Sequence, residues 1–146
     1  VVERHQGTGN VACGFLKGYG IKEGAVALSV AHDSHNIIVV GVNDDEMEFA
    51  VNSLVEQEGG IVLVKEGKVI ESMPMPIAGL MSDQNTEFVQ HKLQQLNFWT
   101  AELGVPENVN AFNCLSFLAL PVIPSLRLSD KGLVDVGKFA IVDLWE

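Results

Sequence analysis

Residues Ala25 to Val42 read AVALSVAHDSHNIIVVGV, two uncharged, β-branched runs separated by five consecutive polar residues. Runs such as Val26-Ala27-Leu28-Ser29-Val30 and Ile37-Ile38-Val39-Val40 suit strands covered on one face or both. His32-Asp33-Ser34-His35-Asn36 cannot share that environment, because each buried polar group left without a partner costs about 1–3 kcal/mol. The pentad therefore belongs at the rim of a core. Parallel neighbours need a crossover of about a dozen residues or more, so so short a connection implies an antiparallel hairpin with HDSHN at its tip. Two imidazoles, a carboxylate, a hydroxyl and an amide are then presented together on a loop held by a rigid scaffold, the usual place for functional groups.

Downstream, Asn43-Asp44-Asp45-Glu46 has the form of a capping box, with Asn43 as N-cap and Glu46 returning to it. Met47, Ala50, Val51, Leu54 and Val55 follow at helical spacing as one apolar stripe, and Gly59-Gly60 ends the helix. Ile61 to Val64 and Val69 to Ser72 flank the polar turn Lys65-Glu66-Gly67-Lys68 and predict a second hairpin, stopped by Pro74 and Pro76. Ser82 or Asp83 is placed to cap a second helix with Val89, Leu93, Leu96 and Leu103 on its core side, closing at Gly104. Periodicity leaves Cys114 to Leu120 open between strand and helix. Leu126 to Leu128, Leu133 to Val136 and Phe139 to Leu144 predict further strands, the first two joined by a turn at Ser129 to Gly132. Upstream, Val11 to Leu16 predicts a first strand among glycines. Gly7-x-Gly9 and Gly18-x-Gly20 lack the third glycine and the following helix of a dinucleotide loop. These elements predict an α+β fold, a single-domain sandwich in which a mostly antiparallel mixed sheet of about six strands packs with two main helices.

A chain of 146 residues with 47% apolar content has the size and composition of one domain. A net charge of −10 with nine scattered basic residues argues against nucleic-acid binding, which needs Lys and Arg gathered on one face. No apolar run approaches the roughly 18 residues of a membrane span. Cys13 and Cys114, each in apolar surroundings, predict reduced core thiols and a cytoplasmic protein. The opening Val1-Val2-Glu3-Arg4-His5 has neither an initiator Met nor the pattern of a signal peptide, which predicts a piece of a longer polypeptide.

SVAHDSHNIIVVGVND, from Ser29 to Asp44, resembles the C-terminal region of bacterial adenine deaminases, in the amidohydrolase superfamily. GFLKGYGIKEGAVA from Gly14, PMPIAGLMSD from Pro74 and LSFLALPVIPSLRLSDKGLVDV from Leu115 agree with that region in the same order. The resemblance implies that residues 1–146 are the C-terminal domain of an enzyme hydrolysing adenine to hypoxanthine and ammonia. It further implies that a preceding barrel carries the manganese or iron, and that this barrel and adenine are the domain's partners, with a homo-oligomer as a further option. The superfamily's barrel signature His-x-His is absent among His5, His32, His35 and His91. No cofactor is therefore expected in this domain, which is expected to be inactive alone.

His32 and His35 are the candidate catalytic residues, as substrate contact or proton relay, because an imidazole titrates near neutrality. Asp33, Ser34 and Asn36 are candidates for binding substrate or closing its pocket. All three residue types also make self-satisfied turns, which explains half the pentad without explaining two histidines. The His32-x-x-His35 spacing permits chelation, yet no third ligand stands nearby in sequence, and no metal site is expected. Ile77 to Ser82 suits either an apolar docking patch or, as Leu and Met beside a helix more often do, the core. Arg4 and His5 precede an expected strand and are unranked candidates for the same surface. The alternative to a deaminase domain is a stand-alone binding or assembly module of the same ancestry.

Overall fold

In the computed structural model, which describes residues 1–145, the two apolar runs pair as β1 (Ala25–Leu28) and β2 (Ile38–Gly41). They are antiparallel, with Leu28 opposite Ile38 and the polar pentad in the connection. β3 (Gly60–Lys65) lies on the other side of β1, and β4 (Lys68–Pro74) returns beside β3 to give the order β2-β1-β3-β4. Glu66 and Gly67 join β3 to β4 with φ of 52° and 68°, the double left-handed turn whose twist matches the strands it connects. Both β2 and β3 run antiparallel to β1, so they are parallel to each other and α1 (Asp44–Glu56) is the crossover between them.

Asn43 is the N-cap of α1. Its Oδ1 accepts from Glu46 N at 2.9 Å, while Glu46 Oε2 accepts from Asn43 Nδ2 at 2.9 Å. Asp44, Asp45 and Glu46 occupy the first turn, where the helix dipole favours negative charge. α2 (Thr86–Glu102) starts at Asn85 rather than at Ser82 or Asp83, the Asn85 side chain accepting from Phe88 N at 2.9 Å. Three good capping residues stand within four positions, and local sequence does not rank them. The segment around Cys114 is helical, as α3 (Ala111–Leu118).

The central sheet is covered on both faces. Ala25, Ala27, Val62 and Val64 meet Ala50 and Leu54 of α1 on one side. Val26, Leu28, Ile61 and Leu63 meet Leu96 of α2, Leu103 just after it and Leu115 of α3 on the other. Every residue of β1 is therefore buried, and an antiparallel strand shows no polar alternation because neither of its faces meets water. Each buried Leu contributes about 1.5–3 kcal/mol.

The α+β class holds, while the strands divide differently. β5 (Leu126–Ser129), β6 (Gly132–Asp135) and β7 (Ala140–Val142) form a separate three-stranded antiparallel sheet instead of extending the first. Val11 to Leu16 is not a strand. Val2 takes the edge of β2 by exchanging hydrogen bonds of 2.8 and 2.9 Å with Ile37, and Val11 adds one bridge to Val2. Cys13 and Cys114 are both exposed free thiols, which corrects the expectation of core thiols. On α3 the helical period turns Ala111 and Leu115 inward and leaves Cys114 outside. Among the described residues no helix is long and apolar enough to cross a membrane.

Candidate functional site

β1 ends, β2 and β3 begin and β4 ends at the same edge of the central sheet, so the loops leaving these strands converge there. Buried Ser29, directly after β1, ties two of them together. Its Oγ accepts from Gly60 N at 2.7 Å and donates to Gly79 O at 2.5 Å. Gly59 and Gly79 pack so closely that a Cβ on Gly59 would strike the Gly79 backbone.

Arg4 fastens the polar tip to the loop after β4. Its Nε donates to His35 O at 2.6 Å, its Nη2 donates to Ala78 O at 2.7 Å, and its backbone N–H reaches Asn36 Oδ1 at 3.4 Å. The guanidinium lies against Gly79, where φ is 72° and any Cβ would collide with it. His5 Nε2 meets Ser34 O at 2.7 Å, so that nitrogen carries the proton and donates. Glu3 holds this arm in shape by accepting from Thr8 N, Gln6 N and His5 N at 3.1, 2.8 and 2.5 Å, and these donors hold its carboxyl down at about 2.

Between the tip and the opposite loop lies an open cleft of about 550 Å³. Its lining joins Arg4, His5, Ser34 and His35 with Glu58, Gly79 and Leu80. The pentad therefore separates by role. Ser34 and His35 border the cleft. His32 lies beside it, its backbone N–H donating to Ser116 O at 2.8 Å and its ring 4.9 Å from that of Phe117 and 5.5 Å from that of His35. Asp33 is exposed and outside the lining. Asn36 is buried and structural, its Nδ2 donating at 3.2 Å to Asp130, which also accepts from Asn10 at 3.3 Å.

Burial pushes the His35 imidazole below its ordinary pKa, with the neighbouring His32, Arg4 and His5 acting the same way and Asp33 opposing. The ring is therefore neutral at pH 7, able to accept a proton at one nitrogen and donate from the other. Its Nδ1 is buried and without a hydrogen-bond partner among the described residues. Non-glycine residues rarely adopt a left-handed backbone, yet His35, Glu58 and Ala78, at φ of 52°, 65° and 59°, all border this one cleft. Such conformations cost free energy and gather where function holds them.

Ile77 and Met81 are 46% and 59% exposed, which corrects the expectation that this segment joins the core. Ile77 and Met81 exchange backbone hydrogen bonds of 3.2 Å around the left-handed Ala78-Gly79 turn, which seats Gly79 against Gly59 while the Ile77 and Met81 side chains stay exposed. The clamping role of Arg4 and the presence of Glu58 carried no signal in local spacing. The one hint at Glu58 is its place at a helix end, directly before two glycines. A second cleft, of about 660 Å³, opens at the far end of the sheet, and two of its carboxylates are engaged. Glu46 is committed to the α1 cap and to Glu66 N, and Glu23 to Lys65 at 2.6 Å.

Among the described residues no group of three or more His, Cys, Asp or Glu side chains is arranged to hold a metal ion. At the tip, His5 Nε2 is occupied as a donor and His35 Nδ1 stands alone, so the residues present do not fit the manganese or iron that the resemblance implies for the whole enzyme.

The sequence pattern described as the adenine deaminase C-terminal domain matches residues 1–140. This chain belongs to that family. It is 59% identical over 145 residues to adenine deaminase 2 of Desulfotalea psychrophila, covering 99% of this chain and 25% of the relative. It is 53% identical over 146 residues to an adenine deaminase of Desulfatibacillum aliphaticivorans, covering 100% and 26%. With an adenine deaminase of Ligilactobacillus salivarius it shares 54% over 143 residues, covering 97% and 25%. The chain thus spans about a quarter of the length of the curated adenine deaminases it matches, and it corresponds to their C-terminal domain.

Proposed function

We propose that this domain closes the substrate pocket of an adenine deaminase, a hydrolase converting adenine and water to hypoxanthine and ammonia. The cleft between the HDSHN tip and the Ile77–Met81 loop then faces a preceding barrel, the domain's partner in the full-length protein. The observation that carries this reading is His35, a neutral imidazole with a buried, unpartnered Nδ1 at the edge of an open cleft. In this role His35 contacts the base or carries a proton to the departing amine, as general acid–base groups do. His32 backs the ring, Ser34 offers a hydroxyl at the rim, Asp33 stands exposed beside it, and Asn36 holds the tip in place through Asp130. Closure excludes water from all but the attacking position. A manganese or iron ion held by the barrel would supply a water of lowered pKa. Its ligands are no part of this domain, and the domain alone is inactive.

The test is His32→Ala and His35→Ala in the full-length protein, with steady-state kinetics on adenine. The expected outcome is a fall in turnover, a rise in KM, or both, larger for His35→Ala. Wild-type kinetics in both variants would end the proposal.

A further inference from the structure

We propose that Glu58 is a ligand-contacting residue of the cleft, its carboxylate accepting hydrogen bonds from the N–H groups of a small nitrogen base. The proposal rests on the reading of the cleft as part of a substrate pocket and adds a further group that recognises the base.

The argument begins at the C-terminus of α1. Gly59 N donates to Leu54 O at 2.9 Å and Glu58 N donates to Val55 O at 3.0 Å, the paired bonds of a Schellman ending. In that motif the residue at the position of Glu58 is left-handed and is usually glycine, since a Cβ there crowds the backbone. Glu58 occupies it at φ 65°, immediately before Gly59 and Gly60. Helix termination is thus served by a residue poorly suited to it. The structure offers no compensation, because among the described residues the carboxylate joins neither the ion pairs nor the side-chain hydrogen bonds. What the side chain does is line the cleft together with Arg4, His5 and His35.

The lining therefore holds both hydrogen-bonding senses. Arg4 and His35 bring a guanidinium and an imidazole, and Glu58 brings an anionic acceptor. A ligand matching them presents ring nitrogens or a carbonyl together with N–H groups. An amino-substituted nitrogen heterocycle has that pattern, and hydrogen bonds to a charged acceptor are the stronger kind.

The experiment uses the full-length protein and calorimetric titration with adenine, comparing Glu58→Gln and Glu58→Gly with wild type. Glu58→Gln is expected to fold with unchanged melting temperature and to weaken adenine binding about tenfold or more. Glu58→Gly is expected to weaken binding as much while raising the melting temperature, because glycine suits the left-handed position. Unchanged affinity in both variants overturns the proposal, and a lower melting temperature in Glu58→Gly makes the side chain structural and overturns it as well. Weakened binding in the Glu58 variants, with wild-type kinetics in His32→Ala and His35→Ala, removes the histidine reading and leaves this one standing. Failure of the wild-type protein to bind adenine removes both.

Discussion

His35 gathers several unfavourable conditions at one residue. It stands at φ 52°, a conformation that disfavours most side chains, and its ring is half-withdrawn from water beside another imidazole and a guanidinium. Its pKa in the folded state lies below the ordinary imidazole value, so the unfolded chain binds the proton more readily than the folded one. The contribution of His35 to stability is fully present above pH of about 6.5 and is lost as pH falls through that value toward the lower one of the folded state. Urea unfolding at pH 7.5 and 5.5 is expected to show a loss of stability on acidification that is smaller in His35→Gln. An equal loss in the two proteins refutes the assignment. The pentad announced itself in the sequence through polarity between apolar runs, yet its five members look alike at that level. Only the fold turned Asn36 inward onto Asp130 and His35 toward the cleft.

At the scale of elements, the cleft exists because Arg4 joins two loops that the chain brings together from far apart. His35 is 31 residues from Arg4 in sequence and Ala78 is 74. Arg4→Met leaves the carbonyls of His35 and Ala78 without donors, at about 1–3 kcal/mol for each fully buried group and less here because both keep partial access to water. The expected outcome is a loss of about 2 kcal/mol in urea unfolding, with faster hydrogen exchange confined to residues 32–36 and 77–81. Arg4→Lys is expected to restore little, since one ammonium does not reproduce a planar fork spanning two acceptors. Stability unchanged in Arg4→Met shows the clamp to be incidental. The α1 cap was legible because Asn43 and Glu46 frame one apolar stripe, whereas the α2 cap was not, because Ser82, Asp83 and Asn85 compete on equal local terms.

The whole molecule is a sheet buried on both faces with a thinly supported second sheet beside it. The second sheet is tied to the amino-terminal arm through Asn10–Asp130 at 3.3 Å and through Leu128, 3.6 Å from where a Cβ on Gly14 would stand. Around it Phe139, Trp145 and Phe15 are 92%, 81% and 80% exposed, and the last two rings meet at a tilt of 60° with centroids 5.5 Å apart. Exposed apolar groups on this scale mark a surface that associates. In light scattering the 15.8 kDa chain, prepared alone, is expected to self-associate with rising concentration. A strictly monomeric chain at high concentration contradicts that expectation.

The sequence by itself determined the first hairpin and its polar tip, the capped helix after it, the Glu66-Gly67 turn and the α+β class. Each of these is set by residues a few positions apart, through strand alternation, helical spacing, capping or turn chemistry. The family likeness was also in the sequence, as ordered strings along nearly the whole chain. Tertiary structure alone decided that the strands form two sheets, that both cysteines face outward, and that Arg4, His35, Glu58 and Gly79 meet around one cleft. Those outcomes depend on contacts between residues tens of positions apart, and no local pattern encodes which distant groups a folded chain will bring within hydrogen-bond reach.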